Sequence, residues 1–423
     1  MNSPRSAFPR LLGSLILLIL LTGACSFSPD GGVGAADPNL TPTPTPFQPH
    51  NGFSPFASVP TQFPAQTLDA NGVPLEEGIL VTPTADAPVI PILNLSADIN
   101  PLTGLPPSDP ALLERRPMVI KVTNFPRYVR PQSGLSLADQ VYEYYIEDRL
   151  TRFIAVFYGN DAEWVGPVRS GRYFDEHMAR MYHAYLVFKF ADPREFDYLK
   201  NSDISEFLVV PTIGSCPPFR VGEQERDTYN NIFFDTTRFG ECLDKEKKDN
   251  SRQPLRHGFF SELTPNNAQV AVRVYTRYSV DDYSYWDYDP STRQYFRYQE
   301  TVSLTEGNSE TYELLTDALT GLPVTAENVV VLFVSHTFAN TFEAEDEVYH
   351  IDLVNSGNAY VFRDGLVIPA RWYRQAEDQP IFIAQLSGAP VFLRPGRTFY
   401  QVIGKTSTYY QDDSGWHFEF STP

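Results

Sequence analysis

Between Val141 and Arg172 the chain reads VYEYYIEDRLTRFIAVFYGNDAEWVGPVRSGR, a stretch that collects Glu143, Glu147, Arg152, Arg169 and Arg172. Carboxylates can serve as general acid or base, and guanidinium groups hold carboxylates or phosphates through paired charged hydrogen bonds. In a strand, successive side chains alternate between faces, so VYEYYIED is expected to put Glu143, Tyr145 and Glu147 on one face and Tyr142, Tyr144 and Ile146 on the other. Four positions of extended chain separate the two glutamates by roughly 13 Å. That is too far to share a proton, so each is expected to pair with an arginine from Arg149, Arg152, Arg169 or Arg172. Glu143, Glu147, Arg152, Arg169 and Arg172 are therefore the candidate ligand-binding residues, and the same set could equally form a structural salt-bridge lattice. VGPVRSGR runs into an expected helix, a setting where free backbone N–H groups cradle an anion. A carboxylate or phosphate on a small ligand would suit it, as would an acidic cell-wall fragment such as a stem peptide.

Other chemistries find less support. His177 and His183 fall on different faces of an expected helix, and neither HExxH nor CxxC occurs, so no metal site is expected. The glycines match neither GxGxxG nor a Walker loop, so no cofactor is expected. Ser170 lies in RSG and not in GxSxG, with no histidine placed by sequence to serve it. With 33 basic against 52 acidic residues the formal charge is −19. Nucleic acid is thereby disfavoured, since it needs clustered cations, and the one dense basic run, Lys245 to Lys248, is interrupted by Glu246.

The N-terminus carries its own instructions. Arg5 and Arg10 precede the apolar run Leu11 to Leu21, and Thr22-Gly23-Ala24 leads to Cys25. This is similar to a bacterial lipoprotein signal, in which residues 1–24 are removed and Cys25 is lipidated. An uncleaved anchor is the competing reading, but the run is short against the roughly 20 apolar residues that a spanning helix needs. From Ser26 to Ile99 there is no Lys or Arg, 13 of the 36 prolines occur, and TPTPTP stands at its centre. Residues 25–99 therefore read as a Pro/Thr-rich tether, one end held at the outer face of the cell membrane by the lipid anchor. Cys216 and Cys242 remain as an even pair in an oxidising compartment and are expected to form a disulfide, with two buried thiols as the alternative.

The elements that must position the candidate site follow. Met118 to Thr123 is a short apolar strand; LTRFIAVFYG and YLVFKFA are further core strands; helices are expected over Arg172 to Tyr185, Arg194 to Lys200 and Thr236 to Lys247. After Pro265 the texture turns to alternating strands, with hairpins at Asp289-Pro290-Ser291-Thr292 and Asp364-Gly365 and a helix at Glu313 to Leu319. The expected fold class is α+β, a mixed α/β domain over 100–264 followed by a mainly antiparallel β domain over 265–423.

LTGLP, RRPMVIKVTN, RPQSGLSLADQVYEYYIEDRLTRF and VGPVRSGR, in this order and spacing, resemble the YerB-like lipoproteins, a bacterial family built on a domain of unknown function. The resemblance covers about Asn100 to Phe260, and SGNAYVFRDGLVIPARWYRQ through LRPGRTFYQVI is similar to that family's smaller C-terminal domain. It implies a two-part extracytoplasmic module behind a lipid anchor and no established catalytic residue. Where the family often has Pro-His-Asn, this chain has Tyr229-Asn230-Asn231, so no histidine stands at that step. The combined expectation is a lipoprotein that binds or scaffolds in the cell envelope, with an anionic ligand or an envelope protein as partner. The alternative is a cell-wall-active enzyme using Glu143 or Glu147 with the arginines. Replacing Cys25 by Ser is expected to move the protein from the membrane to the soluble fraction on cell fractionation, and continued membrane retention would count against lipidation.

Overall fold

Apolar runs such as MVIKVT, TRFIAVF and TFYQVIG have no regularly wet face, and each becomes a strand buried along its whole length. The computed structural model describes residues 95–421 apart from 223–229, 257, 267, 308 and 340–346. The signal segment 1–24, Cys25, the tether as far as residue 94, Tyr229 and His257 lie outside the described residues.

In chain order the first strands are β1 (Met118–Thr123), β2 (Gln140–Tyr145), β3 (Thr151–Phe157), β4 (Tyr185–Val187), β5 (Leu208–Val209), β6 (Phe219–Val221) and β7 (Ile232–Phe234). Next come β8 (Gln269–Val270), β9 (Arg273–Arg277), β10 (Tyr283–Asp289), β11 (Gln294–Glu300), β12 (Tyr312–Leu314), β13 (Thr325–Ala326) and β14 (Asn328–Phe338). The last are β15 (Tyr349–Asp352), β16 (Asn355–Arg363), β17 (Leu366–Arg374), β18 (Phe382–Gln385), β19 (Thr398–Gly404), β20 (Thr408–Asp412) and β21 (Gly415–Glu419). Helices α1 (Asp175–Tyr182), α2 (Pro193–Lys200) and α3 (Phe239–Glu246) are short, and the protein is mainly β.

A 12-stranded sheet runs β18-β17-β16-β14-β19-β2-β3-β1-β4-β5, with β15 and β8 paired at its side. A 7-stranded sheet runs β12-β11-β10-β9-β21-β20, with β13 on β11. Residues from both sides of position 264 share the larger sheet, because β19 pairs in parallel with β2. The smaller sheet covers one face of the larger one, where Trp286 of β10 meets Phe399 of β19 at 4.8 Å between ring centroids. Helix α1 covers the other face, with Tyr182 against Tyr142 and Phe174, just before the helix, against Tyr144.

Local chemistry accounts for the element ends. Asp192 caps α2 by accepting the Arg194 N–H at 2.9 Å, with Pro193 in the first turn. The hairpin between β16 and β17 turns through Asp364 and Gly365, both at positive φ (55° and 70°), which glycine adopts without steric cost. Cys216 and Cys242 form a disulfide with Cα atoms 5.4 Å apart, tying the loop before β6 to α3. The helix expected over Glu313 to Leu319 is absent: Tyr312–Leu314 is strand β12, and a turn follows. Tertiary contact overrides helical propensity there, because the Asp317 carboxylate accepts from the Gly134 and Ser136 N–H groups at 3.0 and 2.7 Å.

Candidate functional site

Register decides where the charged side chains of the central strands go. Tyr144 lies opposite Arg152, and Arg152 opposite Thr123, so Tyr142, Tyr144, Arg152, Lys121 and Thr123 share the face covered by α1. Glu143, Thr151 and Phe153 share the opposite face, toward the smaller sheet. The structure thus sends Glu143 away from the arginine cluster that surrounds Glu147. The strand also stops sooner than expected: Ile146 N–H donates to Leu150 C=O at 3.0 Å, and Asp148 and Arg149 take positive φ. Glu147 consequently sits in a turn and shares no strand face with Glu143.

Glu143 is fully enclosed and pairs with Arg297 of β11 at 2.9 Å. Its Oε1 also accepts from Thr151 Oγ1 at 3.1 Å. Arg297 donates from Nε and Nη2 to Gln299 Oε1 at 3.0 and 2.6 Å, and its guanidinium lies among the rings of Phe153, Trp286 and Phe399. Asp282 and Glu300 are buried nearby. Burial, then repulsion from Glu300 and Glu143, holds the Asp282 carboxyl well above the ordinary carboxylate range. Arg130 meets Glu300 at 2.7 Å. This group is a closed ionic lattice between sheets.

The other face carries the surplus of cations. Strands β1, β2 and β4 run in the same direction, since β1 and β4 are parallel neighbours and β3 is antiparallel to both β1 and β2. Their carboxyl ends converge where the VRSGR segment crosses: Arg169 N–H donates to Lys121 C=O at 3.1 Å, and Lys189 N–H donates to Arg169 C=O at 2.9 Å. Crevices beyond the carboxyl ends of parallel strands are a common location for ligand sites. Gly166 makes the approach possible, at φ +148°, because a Cβ there would lie 2.7 Å from the Val168 nitrogen.

Arg172 donates from Nε to Glu147 Oε2 at 2.8 Å, and a second, shorter contact joins Nη2 to Oε1. Its Nη1 is also 3.6 Å from Glu195 Oε2. Lys121 is wholly buried and pairs with Asp175 at 2.9 Å, with the Tyr144 hydroxyl touching both. Burial pulls the Lys121 ammonium down to about 8, opposed by Asp175. Arg152 is buried and donates from Nη1 to Thr151 C=O at 3.0 Å, and no carboxylate lies within ion-pair distance of it among the described residues. Burial, then repulsion from Arg169 and Arg172, lowers its pKa to about 9.

Of the five candidates, the structure therefore gathers Arg152, Arg169, Arg172 and Glu147 and separates Glu143. Arg149 is exposed and reaches Asp281 at 3.4 Å. Sequence reasoning missed Lys121, Asp175, Glu195 and Arg297. Lys121 carried a signal, being the one charge inside the apolar run MVIKVT, and Arg297 another, falling on the inward phase of QYFRYQE. Glu195 showed none, looking like any acid in the first turn of a helix.

Family models place this architecture. The model described as the N-terminal domain of a protein of unknown function, DUF3048, matches residues 102–249, and the C-terminal domain of the same family matches 274–400. The chain is 30% identical over 315 residues to the putative lipoprotein YerB of Bacillus subtilis, covering 72% of this chain and 84% of that protein. The chain belongs to the DUF3048 family. The crystal structure of YerB from Bacillus subtilis is similar with a TM-score of 0.58 and 25% identity, covering 72% of this chain and 96% of that one. Within this DUF3048 protein, the first matched segment holds all five candidate residues, whereas Arg297, the partner of Glu143, comes from the second.

Two outcomes follow from these environments. Arg297→Met is expected to cost about 3–5 kcal/mol in urea unfolding, because it leaves Glu143 buried without its cation; Glu143→Gln, which relieves acid repulsion, should cost less. Glu195 supplies the second. Its Oε1 is buried without a hydrogen-bond partner, and burial raises its pKa to about 7, with Arg172 pulling the other way. The folded state thus binds this proton more tightly than the unfolded chain does, so the contribution of Glu195 to stability falls as pH rises from about 4.5 to about 7. Stability measured across that window should decline less in Glu195→Gln than in the parent; identical slopes would contradict the assignment.

Proposed function

We propose that the chain is a membrane-anchored extracytoplasmic lipoprotein whose folded part binds an anionic group at the cluster of Arg152, Arg169 and Arg172. The ligand is a carboxylate or phosphate borne by a small molecule or wall fragment. The observation that carries this reading is Arg152: a buried guanidinium, repelled by two neighbouring arginines and joined to no carboxylate among the described residues. Buried charges ordinarily have a counter-charge, because desolvation penalises an isolated one heavily. An anion bound at the carboxyl ends of β1, β2 and β4 would supply it.

Two features support the anchored setting: the lipoprotein-like sequence around Cys25 and the similarity to a protein named as a putative lipoprotein. In this reading 100–264 and 265–423 act as two modules sharing one sheet, the first carrying the site and the second bracing it. The enzymatic alternative draws less support, since Glu143 is enclosed with Arg297 and Glu147 is engaged by Arg172.

Titration calorimetry of the parent with muropeptides bearing free stem-peptide carboxylates, and separately with inorganic phosphate, is expected to show binding to one of them. Arg152→Gln and Arg169→Ala should each weaken it roughly ten- to hundredfold, the loss of one charged hydrogen bond, while circular dichroism shows the fold retained. A folded parent that binds neither probe, or variants that bind as the parent does, would reject the site.

A further inference from the structure

The outer face of the smaller sheet carries a row of rings in cross-strand register. Tyr298 lies opposite Tyr285, Tyr285 opposite Tyr275, Tyr275 opposite His417, and His417 opposite Tyr410. Three of these four steps are stacked, at 4.6, 4.4 and 4.5 Å between centroids, and the Tyr275–Tyr285 step is tilted at 5.2 Å. The stacked spacing is close to the distance between neighbouring strands, so the rings stand upright on the sheet and each covers its neighbour. The row ends on Tyr410, which is 47% exposed and has no second ring against it among the described residues.

Tyr410 lies on β20, the last strand of the sheet, and all five residues of that strand are exposed. Apart from the pairing with β21, no backbone group of residues 408–412 takes part in a backbone hydrogen bond among the described residues. The strand reads TYYQD and pairs one-to-one with β21 without a bulge. It contains neither lysine nor proline. Those are two of the usual devices that keep an edge from pairing; the strand's shortness and Asp412 at its end are the ones present.

We propose that β20 pairs antiparallel with β20 of a second copy of this chain, about a two-fold axis at Tyr410, joining two seven-stranded sheets into one. In that register Tyr410 faces Tyr410 of the partner subunit, so the aromatic row continues across the axis. Thr408 faces Asp412 of the partner subunit, and Tyr409 faces Gln411 of the partner subunit; no like charges meet. Centring the pairing on Asp412 would oppose two carboxylates, and centring it on Tyr409 or Gln411 would leave Tyr410 without a ring across the axis. The self-complementary pattern therefore selects one register and favours a second copy over an unrelated strand. A single five-residue strand buries less than the roughly 1,200 Å² of a standard interface, so the association is weak and concentration-dependent.

The test is sedimentation velocity over a concentration series on the processed chain, residues 25–423, carrying Cys25→Ser, so that neither the apolar signal segment nor an acyl chain drives association. A monomer–dimer equilibrium is expected. Adding Tyr410→Lys opposes two ammonium groups and removes the ring stack, and should raise the dimer dissociation constant roughly tenfold or more. Adding Thr408→Lys instead places an ammonium group against Asp412 of the partner subunit and should leave the constant unchanged or lower it. Both positions are exposed, so circular dichroism of either variant should match the parent. A parent that stays monomeric at every concentration, a dimer indifferent to Tyr410→Lys, or a Thr408→Lys variant weakened as much as Tyr410→Lys would overturn the proposal.

Discussion

Glu143 and Arg297 meet at 2.9 Å with both side chains fully enclosed, across the space between the two sheets. Two charges taken out of water lose several kcal/mol each of hydration by rough estimate, and only near-complete polar satisfaction offsets it. Gln299, Thr151 and Gln401 supply hydrogen bonds, and the rings of Phe153, Trp286 and Phe399 pack around the guanidinium. Arg297 Nη1 still lacks an acceptor among the described residues, which leaves the pair slightly short of full compensation. Hydrophobic residues of similar volume could hold these sheets at least as firmly. What the ion pair adds is register: Glu143 is fixed by β2 and Arg297 by β11, so a slip of either strand would bury a lone charge.

Fixing that register also fixes the opposite face. Side chains alternate, so once Glu143 points to the smaller sheet, Tyr144 and its neighbour Arg152 must point toward α1. The arginine cluster is in this sense a consequence of the core. Strand β2 is buried on both faces because β19 pairs beside it and layers lie above and below, and none of its side chains can reach bulk water as a surface charge would. Each polar group on β2 is therefore either part of a lattice or part of a site.

Much of this was legible in the sequence and some was not, for reasons that differ by residue. Period-two alternation found the strands, and the Asp289-Pro290 and Asp364-Gly365 signals found the β10–β11 and β16–β17 hairpins, because those depend on local geometry. The Arg172–Glu147 pair was among the foreseen pairings. The Glu143–Arg297 pair was not: its members are 154 positions apart, and only the packing of two sheets brings them together. The parallel pairing of β19 with β2 was equally invisible, since alternation reports which face a residue takes and not which strand lies beside it. The expected helix at Glu313 to Leu319 failed where Asp317 was claimed by backbone groups at Gly134 and Ser136.

Electrostatics gives the cluster a particular character. The chain as a whole carries a formal charge of −19 and repels anions at a distance, but screening confines that repulsion to about 8 Å at physiological salt. Within the fold the same charges act through a poorer dielectric, and a buried arginine acts far more strongly than a surface one. Arg172 is balanced by Glu147 and Glu195, so its positive charge is largely spent inside the protein. Arg152 has no carboxylate at ion-pair distance among the described residues, only the more distant attraction of Glu147 and Asp282, and Glu195, whose burial raises its pKa to about 7, stands beside Arg172. In the proposed reading, an anion at this end of the sheet meets the combined field of Arg152, Arg169 and Arg172, opposed by Glu147 and Glu195, and protonation of Glu195 strengthens it.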